Sequence, residues 1–246
     1  MEPRPYRVLR RSSRAPLLIT CEHASLSLPS GLATDAKSRL VLRSHWGWDI
    51  GIWEVVRDVS RRLRATAVGG RYSRLVVDLN RDPADPSLIR RECENLAIPF
   101  NSGLAPREIR RRLARIHAPY HAEIDAQLAR RLAHGQRPVL VSFHSFTPFL
   151  NPRRRRFDAG VLFRNHARLA HRLGRALQAE GLSVRYNRPY SGLEGLIYAA
   201  ARHGDKHRIP YLELEFNQRG LAAPAACRAV GRRAAAALRS ILALDD

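Results

Sequence analysis

The sequence predicts an α/β protein: a three-layer α/β/α arrangement around a mainly parallel, mixed central sheet. Three observations carry this. Short, continuously apolar runs alternate with amphipathic helical patterns; four of those runs end abruptly in acidic, imidazole or guanidinium side chains; and no Gly/Ser-rich or Pro-rich stretch divides the 246 residues, which are 45% hydrophobic. Residues 1–246 are therefore expected to form one domain.

In chain order, "APLLITCEH" reads as a buried strand, with Leu18, Ile19 and Thr20 before Glu22 and His23. "IGIWEVVRDVSRRL" sets Ile52, Val55, Val56, Val59 and Leu63 on one helical face. "RLVVDLN" repeats the strand form, Leu75 to Val77 preceding Asp78, Asn80 and Arg81, three polar groups expected to line a site. "PREIRRRLARI" opens a helix with Pro106 in its first turn. "RPVLVSFHS" is a third strand of the same kind, ending at His144 and Ser145, and "AGVLFR" is a further candidate. "HARLAHRLGRALQAEG" is a helix closing at Gly181, and "LSVRYN" another strand candidate. "HRIPYLELEF" ends in Glu213 and Glu215, and the Ala-rich "APAACRAVGRRAAAALRSILAL" favours helix outright.

The formal charge of +21 invites a nucleic-acid reading. The charge is nearly all arginine, since Lys37 and Lys206 are the only lysines, and it is spread along the chain as solvated helix faces. Its densest cluster, Arg153 to Arg156, is expected in a loop. Nucleic acid is thus an unfavoured partner. Cys21, Cys93 and Cys227 are odd in number and far apart, which argues for a reducing compartment. No signal-peptide h-region follows the basic amino terminus and no run of 18 apolar residues occurs, so a soluble cytoplasmic protein without membrane contacts is expected.

In open α/β sheets, ligands bind beyond the carboxyl ends of the strands. Those ends would gather Glu22, His23, Asn80, Arg81, His144 and Glu215, and "HWGWD" adds His45 and Asp49. Two or three His/carboxylate side chains that leave one position open form the ligand set of a catalytic zinc. A carboxylate must then carry protons, a task for Glu215 or for Glu213, which shares its face by alternation. Arg81 beside Asn80 suits a substrate carboxylate, since a guanidinium pairs bidentately. Arg74 reaches the same place only if the chain bends there. His117 and His121 have the spacing of a helical zinc pair, but Pro119 between them disturbs that geometry. The glycines of "GRALQAEG" and "GLEG" lack the strand–turn–helix context of a phosphate loop.

The strings "CEHAS", "HWGWDIG", "YSRLVVDLNR", "HSFTP", "PYSG" and "LEFNQ", in this order over about residues 17 to 220, resemble the N-formylglutamate amidohydrolase family, related in fold to zinc carboxypeptidases and aspartoacylase-type deacylases. The resemblance implies a phosphorylase/hydrolase-like domain that cleaves the amide of a small N-acyl amino acid with a divalent metal, most readily zinc. It implies His23 and His144 as metal ligands and Glu215 as the catalytic carboxylate. Asn80 and Arg81 would grip the substrate carboxylate, and Arg74 would polarise the scissile carbonyl. His45, Ser145, Tyr190 and Ser191 fall in the matching strings as substrate-binding candidates. The superfamily's His-x-x-Glu is not intact, because Leu26 stands three after His23; Asp49, or else Glu22, is expected as the third ligand. Two positions depart from the family's common pattern: Arg188 stands where an acidic residue is usual, and the arginine that the family commonly shows within the string matched by "EFNQ", near Asn217, is not in that string here. The readings set beside this one are a basic nucleic-acid binder and a binder of acylated amino acids that has lost catalysis.

Overall fold

The structure is a computed structural model and describes residues 3–150 and 153–242. Its strands are β1 (Tyr6–Leu9), β2 (Leu17–Cys21), β3 (Thr66–Gly70), β4 (Glu92–Cys93), β5 (Leu96–Ala97), β6 (Val139–Phe146), β7 (Phe149–Leu150), β8 (Arg153–Arg154), β9 (Ala159–Leu162), β10 (Val184–Tyr186) and β11 (Tyr211–Asn217). The helices are α1 (Ala36–Arg43), α2 (Ile52–Leu63), α3 (Pro106–Arg112), α4 (Ala118–Ala133), α5 (Ala167–Ala179), α6 (Tyr198–His207) and α7 (Pro224–Leu242). Seven strands form the main sheet in the order β1-β3-β2-β6-β11-β9-β10, while β4-β5 and β7-β8 are two small hairpins. Parallel pairing runs from β3 through β2 and β6 to β11 and recurs between β9 and β10; β1 and β9 pair antiparallel with β3 and β11. The expected mixed, mainly parallel sheet is what forms.

Strand alternation divides the core between the two faces. Ile19, Val141 and Leu214 pack with α2, α5 and α7 on one side. Leu18, Leu140 and Tyr211 pack with α4 and α6 on the other. Along this second face the rungs change character toward the carboxyl ends. Leu18 and Leu140 give way to Thr20 and Ser142, and Ser142 and His144 of β6 pair in register with Glu213 and Glu215 of β11. The apolar stripe becomes polar where the chain leaves the sheet.

One strand expectation is corrected. "RLVVDLN" is a series of buried turns, and the neighbouring strand is β3, whose "TAVGG" is a weak strand signal. The glycines of β3 serve close approach. A Cβ on Gly69 would lie 2.4 Å from the Trp53 ring, and one on Gly70 would lie 2.3 Å from the Glu22 carbonyl oxygen. The 72–79 segment keeps its apolar side chains buried, so its hydrophobicity reflects packing on the sheet and not membership of it. The Arg153–Arg156 run is also corrected, since it begins in β8 instead of a free loop. Among the described residues no helix is long and apolar enough to cross a membrane.

Candidate metal centre and active site

His23 and Asp49 are set by the chain just past β2 and just before α2, and the Asp49 N–H donates to the His23 carbonyl oxygen at 3.0 Å. This backbone bond ties two distant segments together at the sheet's edge. His144 enters from β6, and all three side chains are buried. Among the described residues these three form a group with ligand atoms within 4.8 Å of one another.

The tautomers follow from the hydrogen bonds. His23 Nε2 lies 2.7 Å from Asp78 Oδ1, an acceptor, so Nε2 carries the proton and Nδ1 keeps its lone pair. That lone pair is buried without a hydrogen-bond partner, 3.5 Å from Asp49 Oδ1. His144 repeats the pattern: Nε2 lies 2.9 Å from Glu22 Oε2, and Nδ1 lies 2.9 Å from Asp49 Oδ2. A neutral His144 that donates to Glu22 would turn a lone pair on Asp49. Acceptors facing acceptors in a buried place call for positive charge between them. Burial opposes charge on His144, yet Glu213, Asp49 and Glu22 outweigh it and raise its pKa well above the ordinary value. Asp49 is pushed up by burial, but His23 and His144 more than reverse this and lower it.

The donor set fits a divalent metal. Two imidazole Nδ1 atoms and a carboxylate converge, and each imidazole leans on a further carboxylate through Nε2, the support that metal-bound histidines need. Glu22, the alternative third ligand, faces the Nε2 side of His144. It also accepts from Tyr120 Oη at 2.8 Å and Ser142 Oγ at 2.6 Å. Burial raises the Glu22 pKa, but His144, Ser142 and Tyr120 reverse this and bring it to about 2.

A cavity of about 250 Å³ opens beside this group, lined by His23, His45, Asp49, Arg74, Asn80, Arg81, His144, Ser145, Tyr190, Glu213 and Glu215, with Trp46 and Arg90 on its wall. Of the substrate-binding candidates, Ser191 alone is not brought to it; its Oγ accepts from Leu193 N at 3.2 Å. Ser145 lines the cavity with its hydroxyl already donating to the Ile50 carbonyl oxygen at 3.1 Å. The turns over 72–79 bring Arg74 in, because Arg74 and Asp78 lie four residues apart and meet in a two-pronged pair, Nε at 3.0 Å and Nη2 at 2.6 Å from Oδ2. Arg74 Nη1 is left 3.9 Å from Asp49 Oδ1. Asn80 is held on both ends: its Oδ1 accepts from Ala199 N at 2.9 Å and its Nδ2 donates to Glu213 Oε2 at 3.3 Å. Arg81 has a looser partner, Asp85 at 3.8 Å.

The two glutamates of β11 part company here. Glu213 faces the Nε2 side of His144, 3.6 Å away, and burial first, with Glu22 adding, pushes its pKa up to about 7. Glu215 has a buried Oε2 with no hydrogen-bond partner, and burial, joined by Asp49 and Glu213, raises its pKa well above the ordinary carboxylate value. Alternation alone could not separate them. Asp78, expected at the site with Asn80 and Arg81, holds His23 and Arg74 there; Tyr120 and Ser142 are the residues that sequence reasoning misses, and nothing local marks them. His117 and His121 lie elsewhere, with His121 Nδ1 on His203 Nε2 at 2.8 Å, and they do not join the metal group.

The family model described as "N-formylglutamate amidohydrolase" matches residues 15–222. The N-formylglutamate deformylase of Pseudomonas putida is 34% identical over 131 residues, a match covering 48% of this chain and 46% of that protein, so it spans about half the length of that relative. A crystal structure of a gene product from Agrobacterium tumefaciens superposes with a TM-score of 0.89 at 30% identity, covering 99% of this chain and 97% of that one. The N-formylglutamate amidohydrolase of Ralstonia eutropha JMP134 shares the fold, with a TM-score of 0.75 at 18% identity over 96% of this chain and 97% of that one.

Proposed function

The chain belongs to the N-formylglutamate amidohydrolase family, and from that premise we propose that it hydrolyses the amide of an N-formyl amino acid, N-formylglutamate first, using a divalent metal, zinc by preference. One observation carries the reading: the Nδ1 atoms of His23 and His144 and the Asp49 carboxylate face one another beside a buried carboxylate, Glu215, that has an oxygen without a partner.

His23, Asp49 and His144 would hold the metal, which when bound supplies Lewis acidity and lowers the pKa of water from ~15.7 to about 7. The chain's own groups do the rest. Glu215 accepts a proton from the attacking water and returns it to the leaving nitrogen, so that the formyl C–N bond breaks and formate and the free amine result. The raised pKa of Glu215 suits the second half of that transfer. Arg74, fixed in direction by Asp78, offers Nη1 to the oxygen that gains charge on the formyl carbon. Arg81 takes the α-carboxylate of the substrate, and Asn80, tied to Ala199 and Glu213, keeps Arg81's segment against α6. Asp78 and Glu22 keep both imidazoles in the tautomer that leaves Nδ1 free. The three cysteines are free and dispersed, which agrees with a reducing cytoplasm.

The test is formate release from N-formylglutamate by the metal-loaded protein and by Glu215→Gln. The expected result is a loss of about 10²–10⁴-fold in turnover with the metal content unchanged. Full turnover by Glu215→Gln, or by metal-stripped wild type, would overturn the proposal.

A further inference from the structure

Three guanidinium groups line the cavity, and they are not equivalent. Arg74 is committed to Asp78 by two short bonds. Arg81 stands 3.8 Å from Asp85. Arg90 has no carboxylate within ion-pair distance among the described residues, although it faces the same cavity. Its guanidinium carbon lies 5.3 Å from the centroid of the Trp46 ring. That ring is itself fixed, because Trp46 Nε1 donates to Glu94 Oε1 at 3.0 Å and its backbone N–H donates to Ser44 Oγ at 3.2 Å. The Arg90 backbone is pinned as well, its carbonyl oxygen accepting from Asn101 Nδ2 at 2.6 Å.

A guanidinium held beside an indole is attracted by the ring and keeps its N–H edges for a planar anion. A carboxylate is the anion whose two oxygens match that fork. With Arg81 assigned to the α-carboxylate, a further cation on the wall, without an ion-pair partner of its own, has no role for a substrate carrying one negative charge.

We propose that Arg90, oriented by Trp46, binds the side-chain carboxylate of the substrate and so selects N-acyl dicarboxylic amino acids over their neutral isosteres. This rests on the amidohydrolase reading above for the placement of the substrate, and its test separates the two. Arg90 acts on discrimination, while cleavage belongs to Glu215 and the metal ligands.

The experiment compares two pairs of compounds that differ only in one charge. Binding of glutarate and of its monoamide, glutaramate, is measured by calorimetry on the wild-type protein, Arg90→Gln and Arg90→Lys. The ratio of kcat/KM for N-formylglutamate and N-formylglutamine is measured on the same three proteins. The wild type is expected to favour the dicarboxylate by tenfold or more in both ratios. Arg90→Gln is expected to bring both ratios toward one, and Arg90→Lys to restore part of the preference through a point charge without the fork. A wild type that binds glutarate and glutaramate equally, or an Arg90→Gln protein that keeps the wild-type ratio, overturns the proposal. A protein that prefers glutarate through Arg90 and yet cleaves no N-formyl amino acid sustains this proposal and overturns the amidohydrolase reading instead.

Discussion

Two buried histidine clusters lie on the same face of the sheet, and they solve the problem of burying imidazole in opposite ways. At the sheet's edge, each ring of His23 and His144 meets carboxylates at both nitrogens. Between α4 and α6, donors and acceptors alternate. Asp125 Oδ1 lies 2.8 Å from His203 Nδ1, so that nitrogen carries the proton, and His203 Nε2 accepts from His121 Nδ1 at 2.8 Å. The exposed Lys206 and the half-buried His207 also reach Asp125. Burial lowers the pKa of both His121 and His203, and neutral imidazoles carry the second chain without any added charge, leaving His121 Nε2 as a buried lone pair with no carboxylate facing it among the described residues. The first cluster has more carboxylates than donors and needs a cation. What separates the candidate metal group from the structural histidine network is therefore the number of carboxylates per ring, and not the number of histidines.

Removing His144 gives the largest expected break in this comparison. His144→Ala should lose bound metal, by elemental analysis, and with it essentially all turnover, a greater loss than the ~10²–10⁴-fold expected when a proton carrier alone is removed. His121→Phe, the matching change in the second cluster, should leave the metal content of the wild type. Equal metal loss in both variants would erase the distinction.

A smaller effect is expected from Asp78→Asn. This change leaves every ligand in place but weakens the support of His23 Nε2, and metal affinity, measured by competition with a chelator, should fall about 10–100-fold. No change would mean that His23 is oriented by packing alone.

The smallest effect belongs to the second cluster. Burial pushes the Asp125 carboxyl up, but bonds from His203, Lys206 and His207 outweigh it and hold the pKa below the ordinary range. A carboxylate depressed in the fold contributes stability that is present above its unfolded pKa of about 3.9 and is lost as pH falls through the folded value. Asp125→Asn should cost about 1–3 kcal/mol near pH 7 in urea unfolding. The gap to the wild type should narrow as pH drops below about 4, and a gap that widens there would contradict the sign.

Much of the site was legible because strand ends announce themselves. "LLITCEH", "VLVSFHS" and "YLELEF" each change from apolar to polar over one or two residues, and His23, His144 and Glu215 do come together at the carboxyl edge of one sheet. The "RLVVDLN" segment misled for a physical reason: a buried turn needs the same apolar side chains as a buried strand, and local composition cannot separate them. β3 was hidden for the complementary reason, since the glycines that let Trp53 and Glu22 approach also weaken the strand signal. Tyr120 and Ser142 were not legible at all. Their link to Glu22 depends on α4 crossing β2 and β6, which is a property of the assembled layers.

Bound positive charge is expected on the Nδ1 side of both imidazoles. A crystal soaked in zinc and measured at the zinc absorption edge tests this most directly. The predicted result is one strong anomalous peak about 2.0–2.2 Å from His23 Nδ1, His144 Nδ1 and an Asp49 carboxylate oxygen. A peak on the Nε2 side, between His144, Glu22 and Glu213, or one at His121, would contradict it.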